Sequence, residues 1–575
     1  MNLIASLPDN QAHGPISLRA RARPRITRFL LWCLPLSFLA FFFFLPFARI
    51  LAFSFSLEAL STANLQLALH TLLFTFYQAV LSTLITLAVG VPAAYLLARF
   101  EFPAKSLLRA LTAVPFMLPT VVVAAGFNAL LGPRGLGNVT LMWAFGLSTP
   151  PIAFVGTLSA ILLAHVFYNT TIVIRIVGNA LSRLDPKLEQ AALALGADSR
   201  HLWWDVNVPL LRPALLAASL LVFLFDFTSF GVILLLGGPA FATLEIQIYI
   251  QSLYFLNLPL AALLASIQLV CTLAFSILYT RMLSVSVVQI APRAAAGNVR
   301  RAKTIRERLF VTGMIFLLTS LFVLPMVALP IRSVSRLDAE RGQRTDFQTG
   351  LTTEYYTELF VNRRSSISYV PPIQAALNSL GYAAATVLLS LAMGLPAASA
   401  LARPGRLEKI LDPILILPLG ASAVTLGLGF IVSFGRLLAY PWVVPLAHTL
   451  VALPFVIRTL QPALASIPVR LRQAAASLGA SPFQAWQTVD WPILRRATLS
   501  AATFAFTISL GEFGATALLS RPEYPTIPIA IYRFLSQPGG LNYGQALAMA
   551  TLLMAVATAS ILLIERLRLP GASEF

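Results

Sequence analysis

Two carboxylates stand where carboxylates are costly. Asp226 and Glu512 each lie within a long apolar run, and placing an Asp at the centre of a membrane helix costs roughly 2.5–3.5 kcal/mol. A carboxylate kept at such a place either faces a solute route, where it would attract cations, or is protonated or hydrogen-bonded to a neighbouring helix. His165 and His448 sit early in other apolar runs, far in sequence from any carboxylate, and read as packing or hydrogen-bonding residues rather than ligands. The chain has two cysteines, Cys33 and Cys271, both in apolar runs, so neither a disulfide framework nor a thiolate metal site is expected. Five scattered histidines give no cluster of the kind a membrane enzyme would gather at one face, and no catalytic residue is assigned.

The elements that must position these groups are membrane helices. Hydrophobic residues make up 58% of the 575 and charged residues 11%, with a mean hydropathy of +0.81, far from the roughly 25% charged content of soluble domains. Runs long enough to cross a bilayer, which takes about 20 helical residues, fall near 29–53, 72–98, 107–131, 152–176, 211–236, 259–281, 309–331, 376–402, 411–435, 441–461, 497–520 and 544–565. The expected fold is therefore an all-α polytopic membrane protein with twelve transmembrane helices. With the N-terminus inside, thirty of the 41 basic residues fall on the cytoplasmic side, so both termini are expected in the cytoplasm. The net charge of +19 then faces anionic lipid, and no nucleic acid is expected as a partner. The arginine-rich stretch before Phe29 resembles a signal-peptide n-region, yet the run from Phe29 to Phe53 exceeds a typical h-region of about 7–15 residues. It reads as an uncleaved first helix.

The chain repeats itself. Gln190-Ala191-Ala192, Gly196 and Val206-Asn207-Val208-Pro209 return 283 positions later as Gln473-Ala474-Ala475, Gly479 and Val489-Asp490-Trp491-Pro492. The same offset pairs His165 with His448, Arg175 with Arg458, Trp203 with Trp486, Phe230-Gly231 with Phe513-Gly514 and Tyr249 with Tyr532. It also sets Glu512 opposite Ser229, one helical turn from Asp226, so Asp226, Ser229 and Glu512 are candidates for one level of a shared pathway. Further upstream, Gly90 to Ala94 and Arg99 match Gly394 to Ala398 and Arg403 at an offset of 304. The chain divides into a cytoplasmic tail 1–28, a six-helix unit 29–283, a basic linker 284–308, a second six-helix unit 309–568 and a tail 569–575. Each unit crosses six times, so the two are parallel repeats, expected to be related by an axis along the membrane normal with the pathway between them.

Between the fourth and fifth helix of each unit lies a polar hairpin. Paired alanines permit close helix approach, Gly196 and Gly479 supply the positive φ that ends one helix and turns the chain, and Pro209 or Pro492 is placed to open the next span. This pattern resembles the EAA loop of the membrane subunits of binding-protein-dependent ABC importers with the type I fold. Glutamine, Gln190 or Gln473, stands where that family carries glutamate. The resemblance implies that short helices at about 183–196 and 466–479 dock on ATPase subunits through Gln190, Ala191, Ala192 and Gly196 and through Gln473, Ala474, Ala475 and Gly479. It implies as partners two copies of an ATPase, an extracytoplasmic solute-binding protein and the lipid bilayer, at the inner membrane. The chain contains no G-x-x-x-x-G-K-[S/T] phosphate loop. ATP and Mg therefore belong to the partner, and no metal or other cofactor is expected here.

Fusion of two units in one chain is similar to the permeases for thiamine and for ferric iron, and the stretch from Phe227 to Tyr249, with Gly511 to Ala515, is closer to the thiamine type. Both solutes are cations, which suits Asp226 and Glu512 equally. A twelve-helix secondary transporter also has two parallel halves, but such carriers place their long cytoplasmic link between the halves rather than duplicating a hairpin inside each.

Overall fold

A computed structural model describes residues 31–286, 299–336, 350–361, 370–402 and 405–567. The tails 1–28 and 569–575, linker residues 287–298 and Arg403, all singled out above, lie outside the described residues. Within the described residues every regular element is helical, apart from two isolated bridges, Phe100 with Arg300 and Ser335 with Leu351. Large side chains such as Leu309, Phe316 and Leu388 stand exposed on these helices, as they should where the surroundings are lipid rather than water.

Nine described helices are long and apolar enough to cross a membrane, and the pair Arg406–Pro418 and Ala423–Ala439, bent by 90°, makes a tenth if taken as one span. Twelve unbroken spans are thus not found among the described residues. The shortfall falls on three of the expected runs. Around 107–131 the chain breaks into Lys105–Ala113, Pro115–Met117 and Thr120–Leu131, because Pro119 drives Leu118 into extended backbone, ψ 139°. Around 411–435 Arg406–Gly420 ends past Pro418, and Ser422 caps a new helix by accepting from Thr425 N at 3.0 Å. In the third run the helix Trp491–Gly511 is 21 residues long but carries Arg495 and Arg496 in its second turn, and a short helix, Gly514–Leu519, resumes after Glu512 and Phe513.

Glycines fix how the long helices cross. A Cβ on Gly90, in Thr62–Arg99, would lie 2.6 Å from Val173 Cβ in Leu158–Arg183; one on Gly394, in Pro372–Leu401, would lie 2.5 Å from Val456 Cγ1 in Val443–Ala465. Val173 and Val456 are themselves separated by 283 positions, so the same close crossing is built twice. Small residues matter here because burial from water does not drive helices together inside lipid, and close backbone approach must supply the contact.

The first helix of each unit packs on the opposite unit. Leu31–Ser54 lies against Ala423–Phe434, where Phe42 stacks on Phe430 at 6.1 Å and a Cβ on Gly429 would lie 2.9 Å from Pro46. Reciprocally, Ile305–Ser333 crosses Thr120–Leu131, where a Cβ on Gly126 would lie 3.0 Å from the Pro325 carbonyl oxygen. The two units therefore embrace each other. Replacing Gly90 or Gly394 with valine should lower stability by about 1–3 kcal/mol, seen as a lower unfolding temperature of the purified chain in detergent. Gly313→Ala, whose added methyl meets no atom within 4 Å, should leave it unchanged, and equal temperatures for all three would refute the crossing argument.

Candidate functional site

The hairpin forms the same elbow twice. Asp185 accepts from Lys187 N at 3.0 Å and opens the helix Pro186–Ala194; its counterpart is Val469–Ser477. These helices are two or three residues shorter at each end than the sequence pattern suggests. They end alike. Gly196 N donates to Leu193 O and Ala197 N to Ala192 O, both at 3.0 Å, while Gly479 N donates to Ala476 O and Ala480 N to Ala475 O at the same distances. This is the Schellman ending, which requires a left-handed residue, and Gly196 and Gly479 have φ of +88° and +82°. The second alanine of each pair thus supplies the carbonyl that the turn closes on. Gln190, Ala191, Gln473 and Ala474 are exposed and Ala192 and Ala475 half-buried. Just before each glycine a leucine projects, Leu195 and Leu478, both 89% exposed.

Beyond the glycine each copy starts again with a cap at the equivalent position. Asp198 accepts from Arg200 N at 3.0 Å and His201 N at 2.8 Å, and Ser481 forms a capping box with Gln484. Asp198 also bonds the His201 ring, which raises the imidazole above its usual value, and those hydrogen bonds lower the Asp198 carboxyl. The prolines, expected to open the next span, sit instead inside it: Leu202–Phe227 runs on through a π turn at Leu202–Asn207, and Trp486–Asp490 forms the equivalent turn. Pro209 and Pro492 have no N–H to give, and their rings would crowd a carbonyl four residues back, so the wider turn accommodates them without a new helix start.

The carboxylates and histidines, remote in sequence, meet in space. His165 Nδ1 is 3.3 Å from Asp226 Oδ1, and its Nε2 is 2.8 Å from Ser229 Oγ. His448 Nε2 is 3.4 Å from Glu512 Oε2, and its Nδ1 is 2.8 Å from Ser509 Oγ. Positions 226 and 509 correspond, as do 229 and 512, so each half holds one histidine between one acid and one serine, with the two exchanged. The histidines do hydrogen-bond, His165 to Ser229 and His448 to Ser509 and Thr516, and each also lies beside the carboxylate that sequence distance had seemed to rule out. Asp226, fully buried, also accepts from Asn169 Nδ2 at 2.6 Å, and its backbone carbonyl accepts from Gln78 Nε2 at 2.9 Å. Glu512 accepts from the backbone N of Ala515 and of Thr516, both at 3.0 Å, and from Thr516 Oγ1 at 2.8 Å. It is the cap of Gly514–Leu519. Each carboxylate is engaged within its own half.

The two halves touch through aromatic rings. Phe230 and Phe513, equivalent residues that follow Ser229 and Glu512, stack with centroids 5.5 Å apart. Tyr249 meets the edge of Phe230 at 5.3 Å, and its equivalent Tyr532 meets Phe513 at 5.7 Å. Both phenylalanines follow a helix break, after Phe227 on one side and after Gly511 on the other.

Comparison with known proteins points to transport across a membrane. A family model described as "Binding-protein-dependent transport system inner membrane component" matches residues 89–283, the span that holds the first elbow and Asp226. The thiamine transport system permease protein ThiP of Brucella abortus (strain 2308) is 29% identical over 504 residues, 86% of each chain. The family match and this relative together support a fused two-unit ABC importer permease. ThiP of Escherichia coli (strain K12) is 27% identical over 485 residues, 82% of this permease and 85% of that protein. The probable ABC transporter permease protein y4fN of Sinorhizobium fredii (strain NBRC 101917 / NGR234) is 26% identical over 512 residues, 87% and 88% of the two chains. Alignments over 86% and 87% of the chain necessarily take in the second elbow, which the family model does not reach, and the apolar helices with these relatives support a multi-pass membrane protein.

Sequence reading located the elbows, the carboxylates and Ser229, but not Asn169, Gln78, Ser509 or the Phe230–Phe513 stack as partners. The signal was present in the 283-residue offset, which sets Asp226 opposite Ser509 and the two phenylalanines opposite each other. Glu512→Gln should destabilise the permease by about 1–3 kcal/mol, because an amide nitrogen cannot accept from a buried backbone N–H. Thermal unfolding in detergent measures it, and an unchanged midpoint would show that the cap contributes nothing.

Proposed function

We propose that the permease carries thiamine inward, driven by two copies of an ATPase that press on the two elbows from the cytoplasm. The observation that carries the mechanical part is the duplication of one Schellman-ended helix with a bare leucine at its tip, a shape that suits a groove in a partner. The thiamine part rests on likeness: the two ThiP proteins are named for thiamine transport and align over more than four fifths of the chain, which favours thiamine over ferric iron. ATP and Mg belong to the ATPase, a solute-binding protein outside the membrane selects the solute, and both termini face the cytoplasm, as the basic residues direct.

Asp226, Ser229 and Glu512 act on the pathway by holding the broken helices that present Phe230 and Phe513. Stacked, these rings close the route between the halves; a solute passes when the halves part. Rearrangement of one half against the other around a central site is how paired repeats alternate access.

Proteoliposomes holding the permease, its ATPase and the binding protein should accumulate radiolabelled thiamine only with ATP. Gly196→Leu with Gly479→Leu should abolish both uptake and ATPase co-purification while leaving membrane insertion intact, since a side chain in left-handed backbone costs roughly 1–2 kcal/mol at each elbow. Uptake by the permease alone, without ATPase, would replace this reading with a secondary carrier.

A further inference from the structure

Equivalent elbows need not be fastened alike. At matched positions the chemistry reverses: Glu189 in the first elbow corresponds to Arg472 in the second, and Asn207 to Asp490. The structure uses the difference. Glu189 pairs with Arg99, at the end of the separate helix Thr62–Arg99, with side chains 22% and 7% exposed. Arg472 Nε instead donates to Asp490 Oδ1 at 2.7 Å, at the root of the helix that follows its own elbow.

The aromatic contacts divide in the same way. Trp203 meets the edge of Tyr95, again on Thr62–Arg99, at 5.4 Å. Its equivalent Trp486 packs on Trp491 at 5.6 Å and on Phe483 at 6.1 Å, both within the second elbow. The residue equivalent to Tyr95 at the 304 offset is Ser399, which offers no ring.

Fusion of the units supplies a reason. The Arg99 end of Thr62–Arg99 also receives the chain that leads into the second unit: Arg300 N donates to Arg99 O and Glu101 N to Arg300 O, each at 3.0 Å. The Arg300 guanidinium lies 5.2 Å from the Phe100 ring centroid, and Phe310 meets both Tyr95 and Phe100 at 6.1 Å. Thr62–Arg99 is thus tied at its Arg99 end both to the first elbow and to the chain that leads into the second unit.

We propose that the two elbows deliver the ATPase stroke along different struts. The first drags Thr62–Arg99 with it through Arg99–Glu189 and Tyr95–Trp203; the second acts through Arg472–Asp490 on its own helix, Trp491–Gly511. Both lines end at the aromatic stack. Gln78, on Thr62–Arg99, holds the Asp226 carbonyl just before the break that leads to Phe230, and Trp491–Gly511 runs directly into Glu512 and Phe513. Arg99, Glu189, Arg472 and Asp490 are positioning residues. The proposal rests on the importer reading above, and couples each site to the stack through contiguous, nameable contacts.

The test uses the full chain with Cys33→Ser, Cys271→Ser, Phe230→Cys and Phe513→Cys, assembled with its ATPase in proteoliposomes. Disulfide formation between positions 230 and 513 is read with and without ATP. In this background ATP should change the yield; no response at all would defeat the importer reading rather than the struts. Given a response, Glu189→Gln and Arg472→Gln should each weaken it, and in chains that retain both phenylalanines and both cysteines should cut thiamine moved per ATP by about threefold to thirtyfold. The exchanged pair Arg99→Glu with Glu189→Arg should restore both readouts, which a general loss of folding would not allow. The triple variant Arg99→Gln, Glu189→Arg, Asn207→Asp gives the first elbow the second elbow's ion pair, and should keep the ATPase bound yet leave the response weak. A triple variant that responds like the parent, an exchanged pair that inserts but stays unresponsive, or single variants with full response would each overturn the proposal.

Discussion

Inside a bilayer no water is present to satisfy a freed backbone amide or carbonyl, so a helix can be broken only where the protein itself supplies the missing partners. Most of this structure follows from that constraint. The breaks after Phe227 and after Gly511 are at equivalent places in the two halves, and around each the chain has gathered a histidine, a serine and a carboxylate. Glu512 caps the helix that resumes beyond it, and Gln78 holds the carbonyl of Asp226. Charge that looks expensive in an apolar run is thereby spent on ordering the backbone that carries Phe230 and Phe513.

What the broken helices gain is a contact that can open. A continuous apolar helix packed over its length on a neighbour parts only at the cost of that whole interface, whereas a ring displayed at a break meets its partner over a small area. The four rings from Tyr249 to Tyr532 are the place where the halves meet through equivalent residues, and the exchange of first helices keeps the units joined elsewhere. Stable embrace and local separability are thus assigned to different parts of the molecule. The elbows complete the scheme: each is a short helix ended by a glycine turn, and the segment beyond that turn runs on through a π turn into the helix that leads to a break.

Much of this was legible in the sequence. The elbows, their glycine turns and the division into halves follow from residues repeated at one spacing, because a left-handed turn and a helix cap demand particular residue types. Where each run is interrupted was not legible, since hydropathy reports how apolar a run is and not whether Pro119, Pro418 or Glu512 breaks it. The partners of Asp226 and Glu512 lay hidden for a related reason. Asp226 and Ser509 share one position, and Ser229 and Glu512 another, so acid and serine trade places; a reader seeking the same residue twice finds neither cluster. The unequal fastening of Glu189 and Arg472 is likewise a reversal of charge, visible as a mismatch in the repeat but given meaning only by Arg99 and Asp490 in space.

The claim at the centre is that force enters through two exposed elbows. The most direct measurement is site-specific photo-cross-linking from positions 195 and 478, one at a time, in membranes that hold the permease with its ATPase. The account predicts cross-links to the ATPase from both positions. Cross-links to lipid alone, or to the ATPase from only one elbow, would contradict it.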